Sequence, residues 1–137
     1  SEQAYNYLCQ LEEERLSGES NFTPSGRSYT NVITAFARQS GNDSGGISTV
    51  HRSKEVYDKL IKQIEEGVLQ SGDVDSFANS SLLNCCANVY GARSEKKEAL
   101  VIAVSTKVEY ILYCLSQDTL LISLSTFFVL RLRRLRK

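Results

Sequence analysis

The sequence predicts an all-α fold: about five helices paired as stacked hairpins, followed by an apolar C-terminal helix. Three observations carry this. Among 137 residues there is one proline, Pro24, and no tryptophan, while Ala, Leu, Glu and Lys alternate with Gly/Ser-rich breaks, a composition that favours helices joined by loops. Tyr29, Val32, Ile33, Phe36 and Ala37 recur at i, i+3, i+4, i+7 and i+8, the spacing of one buried helical stripe. Helical patterns also repeat about 50 residues apart, the mark of a repeat architecture.

The first helix is read from Ala4, Leu8 and Leu11, with Tyr5 and Cys9 beside them, and closes in Glu12, Glu13 and Glu14 before the breaker-rich residues 17–25. The second follows Pro24 and carries the Tyr29 stripe. Residues 40–48 turn to Gly, Ser, Asn and Asp, too little apolar surface to offset the entropy of ordering, so a long mobile loop is expected there. The third helix is expected from about Val50 to Val68, with Tyr57, Leu60, Ile61 and Ile64 inward, and closes at Gly67. The fourth carries Leu82, Leu83, Cys86, Ala87 and Tyr90 and stops near Gly91. The fifth begins near Ser94, the expected N-cap, and draws its buried face from Ala99, Ile102, Ala103, Val108, Ile111 and Leu112.

Charge limits the partners. The formal net charge is zero, but residues 131–137 hold five of the 16 basic groups and no acidic one, leaving 11 basic against 16 acidic groups, a formal −5, in residues 1–130. Nucleic-acid binding normally draws on Lys and Arg contacts to phosphate, and this body has no dense basic stripe. Four cysteines, Cys9, Cys85, Cys86 and Cys114, and one histidine, His51, fall in no zinc-ligand spacing. The expectation is reduced, buried thiols in a reducing compartment, with no metal and no cofactor. The chain begins at Ser1 inside a helical pattern without a signal-peptide pattern, from which a fragment of a longer protein is expected.

The repeat is specific in its residues. Thr30-Asn31-Val32-Ile33-Thr34-Ala35-Phe36-Ala37 aligns with Ser80-Ser81-Leu82-Leu83-Asn84-Cys85-Cys86-Ala87 at an offset of 50, and Ala4-Tyr5, Leu8-Cys9 and Glu13-Glu14 fall on Val56-Tyr57, Leu60-Ile61 and Glu65-Glu66 at 52. Short amphipathic helices repeated in this way bury their apolar faces by stacking into a solenoid. Pro24 followed by Tyr29-Thr30-Asn31-Val32-Ile33 resembles the entry to helix A of the pentatricopeptide-repeat family. The second copy, residues 73–83, is looser, lacking the proline and placing Asn79 where an aromatic is expected. The resemblance covers about residues 2–112. Its chief departure is length, because the family period is roughly 35 residues. The excess falls in Gly41 to Ser48 and Gly67 to Asp75, where loop lengthening costs only about 0.6 kcal/mol per doubling.

The resemblance implies a right-handed solenoid that binds single-stranded RNA, one base per repeat, in a larger organellar protein of mitochondria or plastids. Its base-reading position falls on Thr30 and Ser80, its second reading position on Asp75 and Ser25, and its stacking position on Arg27 and Phe77. The residues themselves also allow a plainer reading, in which Thr30 and Ser80 cap helices and Asp75 closes a turn. Two hairpins would read about two bases, so the isolated chain is expected to bind RNA poorly. The alternative expectation is a helical-hairpin scaffold that binds protein and no nucleic acid. Glu12 to Glu14 and Glu65-Glu66 end helices at matching positions and read as solvated faces, and residues 41–46 lack the Gly-Lys-Ser/Thr ending of a phosphate loop. No catalysis and no small-molecule substrate are expected.

The expected organisation is a helical array over residues 1–116, with a partial repeat in 1–25, a full one in 26–75 and a partial one in 76–116, then an apolar and basic segment in 117–137. Residues 119–130 are an apolar dozen preceding the basic end, shorter than the ~20 residues of a membrane span. Contact with a membrane surface, packing as a closing helix, and an origin outside the array are the three readings of this segment.

Overall fold

The computed structural model describes residues 1–42, 45–70 and 76–116. They form five α-helices and, among the described residues, no strand: α1 Glu2–Ser17, α2 Gly26–Ser40, α3 Gly46–Glu65, α4 Ser76–Ala87 and α5 Arg93–Ser116. The all-helical class and the helix count agree with the periodicity. The C-terminal helix expected in 119–137 lies outside the described residues. Among the described residues, no helix is long and apolar enough to cross a membrane. The chain divides after Ala103 into two compact units, and α5 carries residues of both.

The core of the first unit is centred on α2. Tyr29, Val32, Ile33 and Phe36 are all buried, as their spacing requires, and α2 packs on α1, α3 and α4. Ser25 caps α2, its hydroxyl accepting from Ser28 N–H at 3.3 Å. From α3, Val50, Val56, Tyr57 and Leu60 enter the same core; α4 adds Ala78, Leu82, Cys85 and Cys86.

Three boundaries depart from expectation, each for a local reason. Helix α3 begins at Gly46, so much of the loop expected over 40–48 is helical. Ser48 and Thr49 hydroxyls donate back to the Gly45 and Gly46 carbonyls at 3.1 and 2.8 Å, and burial of Thr49 and Val50 anchors that first turn. Helix α4 ends at Ala87, and Tyr90 lies beyond it, exposed, its N–H donating to the Ser40 carbonyl at 3.0 Å. Helix α5 begins at Arg93, ahead of the expected Ser94 cap. The Glu95 carboxylate instead accepts from Ala92 N–H at 2.7 Å, the return half of a capping box.

Helices α1 and α3 end alike. Gly18 N–H bonds the Arg15 carbonyl and Glu19 N–H the Glu14 carbonyl; Gly67 N–H bonds the Ile64 carbonyl and Val68 N–H the Gln63 carbonyl. Each is a Schellman closure with glycine in the left-handed region, φ 77° at Gly18 and 74° at Gly67. A Cβ added at either glycine meets nothing within 4 Å, so the cost of alanine is backbone strain alone. Gly18→Ala and Gly67→Ala are each expected to lower unfolding free energy by about 1 kcal/mol, additively, in urea titrations.

Candidate functional site

Like packs beside like. Along α1 and α3, Arg52 faces Glu2, the Tyr5 hydroxyl donates to the Glu55 carboxylate, Lys59 Nζ lies 3.4 Å from Cys9 Sγ and 3.0 Å from Glu12 Oε2, and Arg15 donates to Gln63 at 3.2 Å. Partners rise together in number, so the two helices run parallel. Helices α1 and α2 are antiparallel, with Tyr5 against Phe36 and the Tyr29 hydroxyl donating to Glu12 at 2.8 Å. Burial, then the hydrogen bond to Glu12, pushes the Tyr29 phenol well above its ordinary range. Burial and then Glu55 push Tyr5 up to about 12. Partial burial works against the Lys59 charge, but the hydrogen bond and charge of Glu12, aided by Cys9, outweigh it and raise its pKa.

The second parallel pair, α2 and α4, encloses a cleft of about 630 Å³. Its polar lining is Thr34 and Arg38 from α2 with Ser81 and Asn84 from α4 and Asn88 just after it; Phe77, 65% exposed, stands at the α4 end. Thr34 Oγ1 donates to the Thr30 carbonyl at 2.8 Å and lies 3.0 Å from Ser81 Oγ, joining the two helices. On α4 the lining residues follow the spacing 77, 81, 84, 88, one stripe of a helix continued past its end. A cation, an aromatic face, two carboxamides and two hydroxyls share this groove. Together they can stack a planar group, hydrogen-bond its edge and hold a neighbouring anion.

The expected site residues are distributed differently. Phe77 lines the groove, while Ser25 caps α2 and Arg27 and Ser80 are exposed outside the lining. Thr30 is buried at 7% exposure and its hydroxyl donates to the Gly26 carbonyl at 3.1 Å. That bond and burial remove it from the surface on which a base could be read. Asp75 lies outside the described residues. Thr34, Arg38, Asn84 and Asn88 did not stand out in the sequence; their signal is the polar stripe itself, which becomes a groove only once α2 and α4 are known to be neighbours.

The thiols are also unevenly placed. Cys85 and Cys86 are buried, but Cys9 is half-buried and Cys114 exposed, and all four are free, so burial is a property of two and not of all. Burial raises both adjacent thiols, Cys86 up to about 11, which leaves them poor nucleophiles at neutral pH. A second groove of about 470 Å³, lined by Leu83, Cys86, Val89, Lys96, Leu100 and Ala103 among others, lies between α4 and the start of α5 and is more apolar. The chain matches no protein-family model, and no similar curated protein or solved structure was found.

Proposed function

We propose that the chain is a piece of a non-catalytic helical-repeat protein of the pentatricopeptide type, with the groove between α2 and α4 holding single-stranded RNA. The observation that carries this is Phe77, an exposed aromatic that lines one groove between parallel helices together with Arg38, Asn84 and Asn88. Base stacking on an aromatic, with polar groups at the base edge and a cation for phosphate, is the general chemistry of single-strand binding. The repeat reading is supported by the sequence offset of 50, under which the groove stripe 77, 81, 84, 88 corresponds to Arg27, Asn31, Thr34 and Arg38. It is supported again by the parallel pairing of α1 with α3 and α2 with α4, and by the matching Schellman closures at Gly18 and Gly67. With Thr30 turned into its own helix, the base contacts belong to Thr34, Asn84 and Asn88. An organellar setting is part of the same proposal.

Two observations favour a protein-binding scaffold as the second reading. The cations of α3 are engaged by carboxylates, Arg52 with Glu55, Lys54 with Asp58, Lys59 with Glu12 and Lys62 with Glu66, and residues 1–130 are formally acidic. Fluorescence anisotropy of the full chain with short homopolymer RNAs, at low and physiological salt, separates the two. Saturable binding at low salt is expected, with Phe77→Ala weakening it about tenfold, since base–aromatic stacking is worth about 1–3 kcal/mol. Arg38→Gln should weaken it and flatten its salt dependence. No binding at low salt overturns the groove and favours the scaffold, and binding that survives both substitutions overturns the groove as the RNA site.

A further inference from the structure

Between α1 and α3 the structure sets a thiol, an amine and a carboxylate in contact. Lys59 Nζ lies 3.4 Å from Cys9 Sγ and 3.0 Å from Glu12 Oε2, and the Tyr5 ring, its centroid 5.5 Å away, flanks the same ammonium. Cys9 and Glu12 stand three apart on α1, so both meet Lys59 from one face of that helix. A salt bridge to Glu12 accounts for the ammonium but not for a thiol beside it. Packing does not call for sulfur here either, since at the offset of 52 the matching position on α3 is Ile61.

The pair is open to small oxidants. Cys9 is half-buried and the Lys59 side chain is 30% exposed, whereas Cys85 and Cys86 are buried and their thiols are raised by that burial. We propose that Cys9 and Lys59 form a redox modification site, at which a hydroperoxide oxidises the thiol and the neighbouring amine captures it as a Cys9–Lys59 sulfenamide. In the first step Sγ attacks the peroxide, the O–O bond breaks, and Cys9 becomes a sulfenic acid while hydrogen peroxide is reduced to water. In the second, Lys59 gives a proton to Glu12 and its neutral Nζ attacks the sulfenic sulfur. The S–N bond forms as S–O breaks, the leaving hydroxide takes the proton from Glu12 to become water, and the extra proton on nitrogen goes to solvent. The balance is one thiol, one ammonium and one hydrogen peroxide giving one sulfenamide, two waters and one proton.

Sulfenic acids condense with nitrogen as well as with thiols, and reach decides the partner. Cys9 Sγ and Lys59 Nζ already touch, on helices held together by the Tyr5–Glu55 and Arg15–Gln63 hydrogen bonds, so capture needs no search. Against partial burial, Glu12 and then Cys9 keep Lys59 protonated. The second step is therefore the slow one, and the sulfenic acid precedes the cross-link. The product joins residues 50 apart, tying α1 to α3 and removing chain entropy from the unfolded state, so oxidation stabilises the first unit. Excess thiol reverses it, two thiols becoming a disulfide as the S–N bond is reduced to thiol and amine. The cross-link does not depend on what the α2–α4 groove binds.

Peptide mapping of the full chain in a Cys114→Ser background, after hydrogen peroxide and under non-reducing conditions, tests it. Trypsin does not cut after a modified lysine, so the expected product is residues 1–15 joined to residues 55–62. It should be two hydrogens lighter than the two peptides together, and dithiothreitol should separate them. Dimedone, a sulfenic-acid trap, added with the peroxide should label Cys9 and suppress the cross-link. Lys59→Arg keeps a cation beside Glu12 but lacks the amine, so its Cys9 should be trapped as before and then pass to sulfinic acid with no joined peptide. The urea midpoint should rise on oxidation of the chain carrying Lys59 and not of Lys59→Arg. Cys9 that passes to sulfinic or sulfonic acid with Lys59 free overturns the proposal. So does Cys9 left unoxidised, or a two-hydrogen loss at Cys9 that persists in Lys59→Arg.

Discussion

Gly45→Ala is expected to lower the unfolding free energy by about 3 kcal/mol, although the backbone there is ordinary for alanine, with φ −78°. The reason is close approach. Gly45 N–H donates to the Asn42 carbonyl at 2.8 Å, folding the connection back against the end of α2. A Cβ on Gly45 would then stand 2.8 Å from Ser40 Cα and 2.9 Å from the Ser40 carbonyl oxygen, and closer still to that of Gln39. These are backbone atoms at the end of a packed helix and cannot swing aside as a flexible side chain would. Gly41, four residues earlier, is the control: its added Cβ would come no nearer than 3.8 Å to the Asn88 carbonyl. Gly41→Ala should therefore be neutral or slightly stabilising through the unfolded chain. Urea midpoints report the contrast, a fall of roughly 1–3 M for Gly45→Ala and little change for Gly41→Ala. Equal effects would mean that the α2–α3 connection does not fold back in this way.

The same connection shows where sequence reading reaches its end. Residues 40–48 have a loop's composition, yet α3 starts inside them, because Ser48 and Thr49 use their hydroxyls on the helix's own carbonyls and Val50 finds a core. Composition reports local preference, and the burial that overrides it is a property of neighbours. Helix α2 was fully legible for the opposite reason: it is amphipathic, and the stripe Tyr29, Val32, Ile33, Phe36 has one place to go. Helix α5 was legible as a helix but not in its orientation. Apolar residues fall on several of its sides, and nothing local says that Ala99 is covered while Val108, Ile111 and Leu112 are exposed. The groove was hidden differently. Phe77 was singled out by family resemblance, but Thr34, Arg38, Asn84 and Asn88 read as solvated polar residues until α2 and α4 were seen side by side. Thr30, assigned to the surface by the same resemblance, turned inward because its hydroxyl satisfies a carbonyl of the first turn.

Phe36→Ala should be the most damaging substitution in the core, costing about 4 kcal/mol, within the range for buried phenylalanine truncation. Phe36 is fully buried on α2, the helix that packs on α1, α3 and α4, so a cavity there loosens the element on which the others rest. Part of the cost is specific to an aromatic pair. The Phe36 ring meets that of Tyr5 edge-on, with centroids 6.2 Å apart and planes at 64°, a geometry worth about 1 kcal/mol beyond area burial. The Tyr5 ring is in turn held from α3, with the Arg52 guanidinium 4.7 Å from its centroid and Lys59 Nζ 5.5 Å away. A double-mutant cycle of Tyr5→Leu and Phe36→Leu isolates that pair, since leucine retains most of the apolar volume. The expected coupling is about 1 kcal/mol, and Tyr7→Ala, whose ring is exposed on α1, should lie within ~0.5 kcal/mol of the unchanged chain. Additive single substitutions would mean that α1 is held by its polar contacts with α3 and not by the aromatic core. A coupled pair would make α1 an integral layer of the first unit, whose removal opens the core at Phe36.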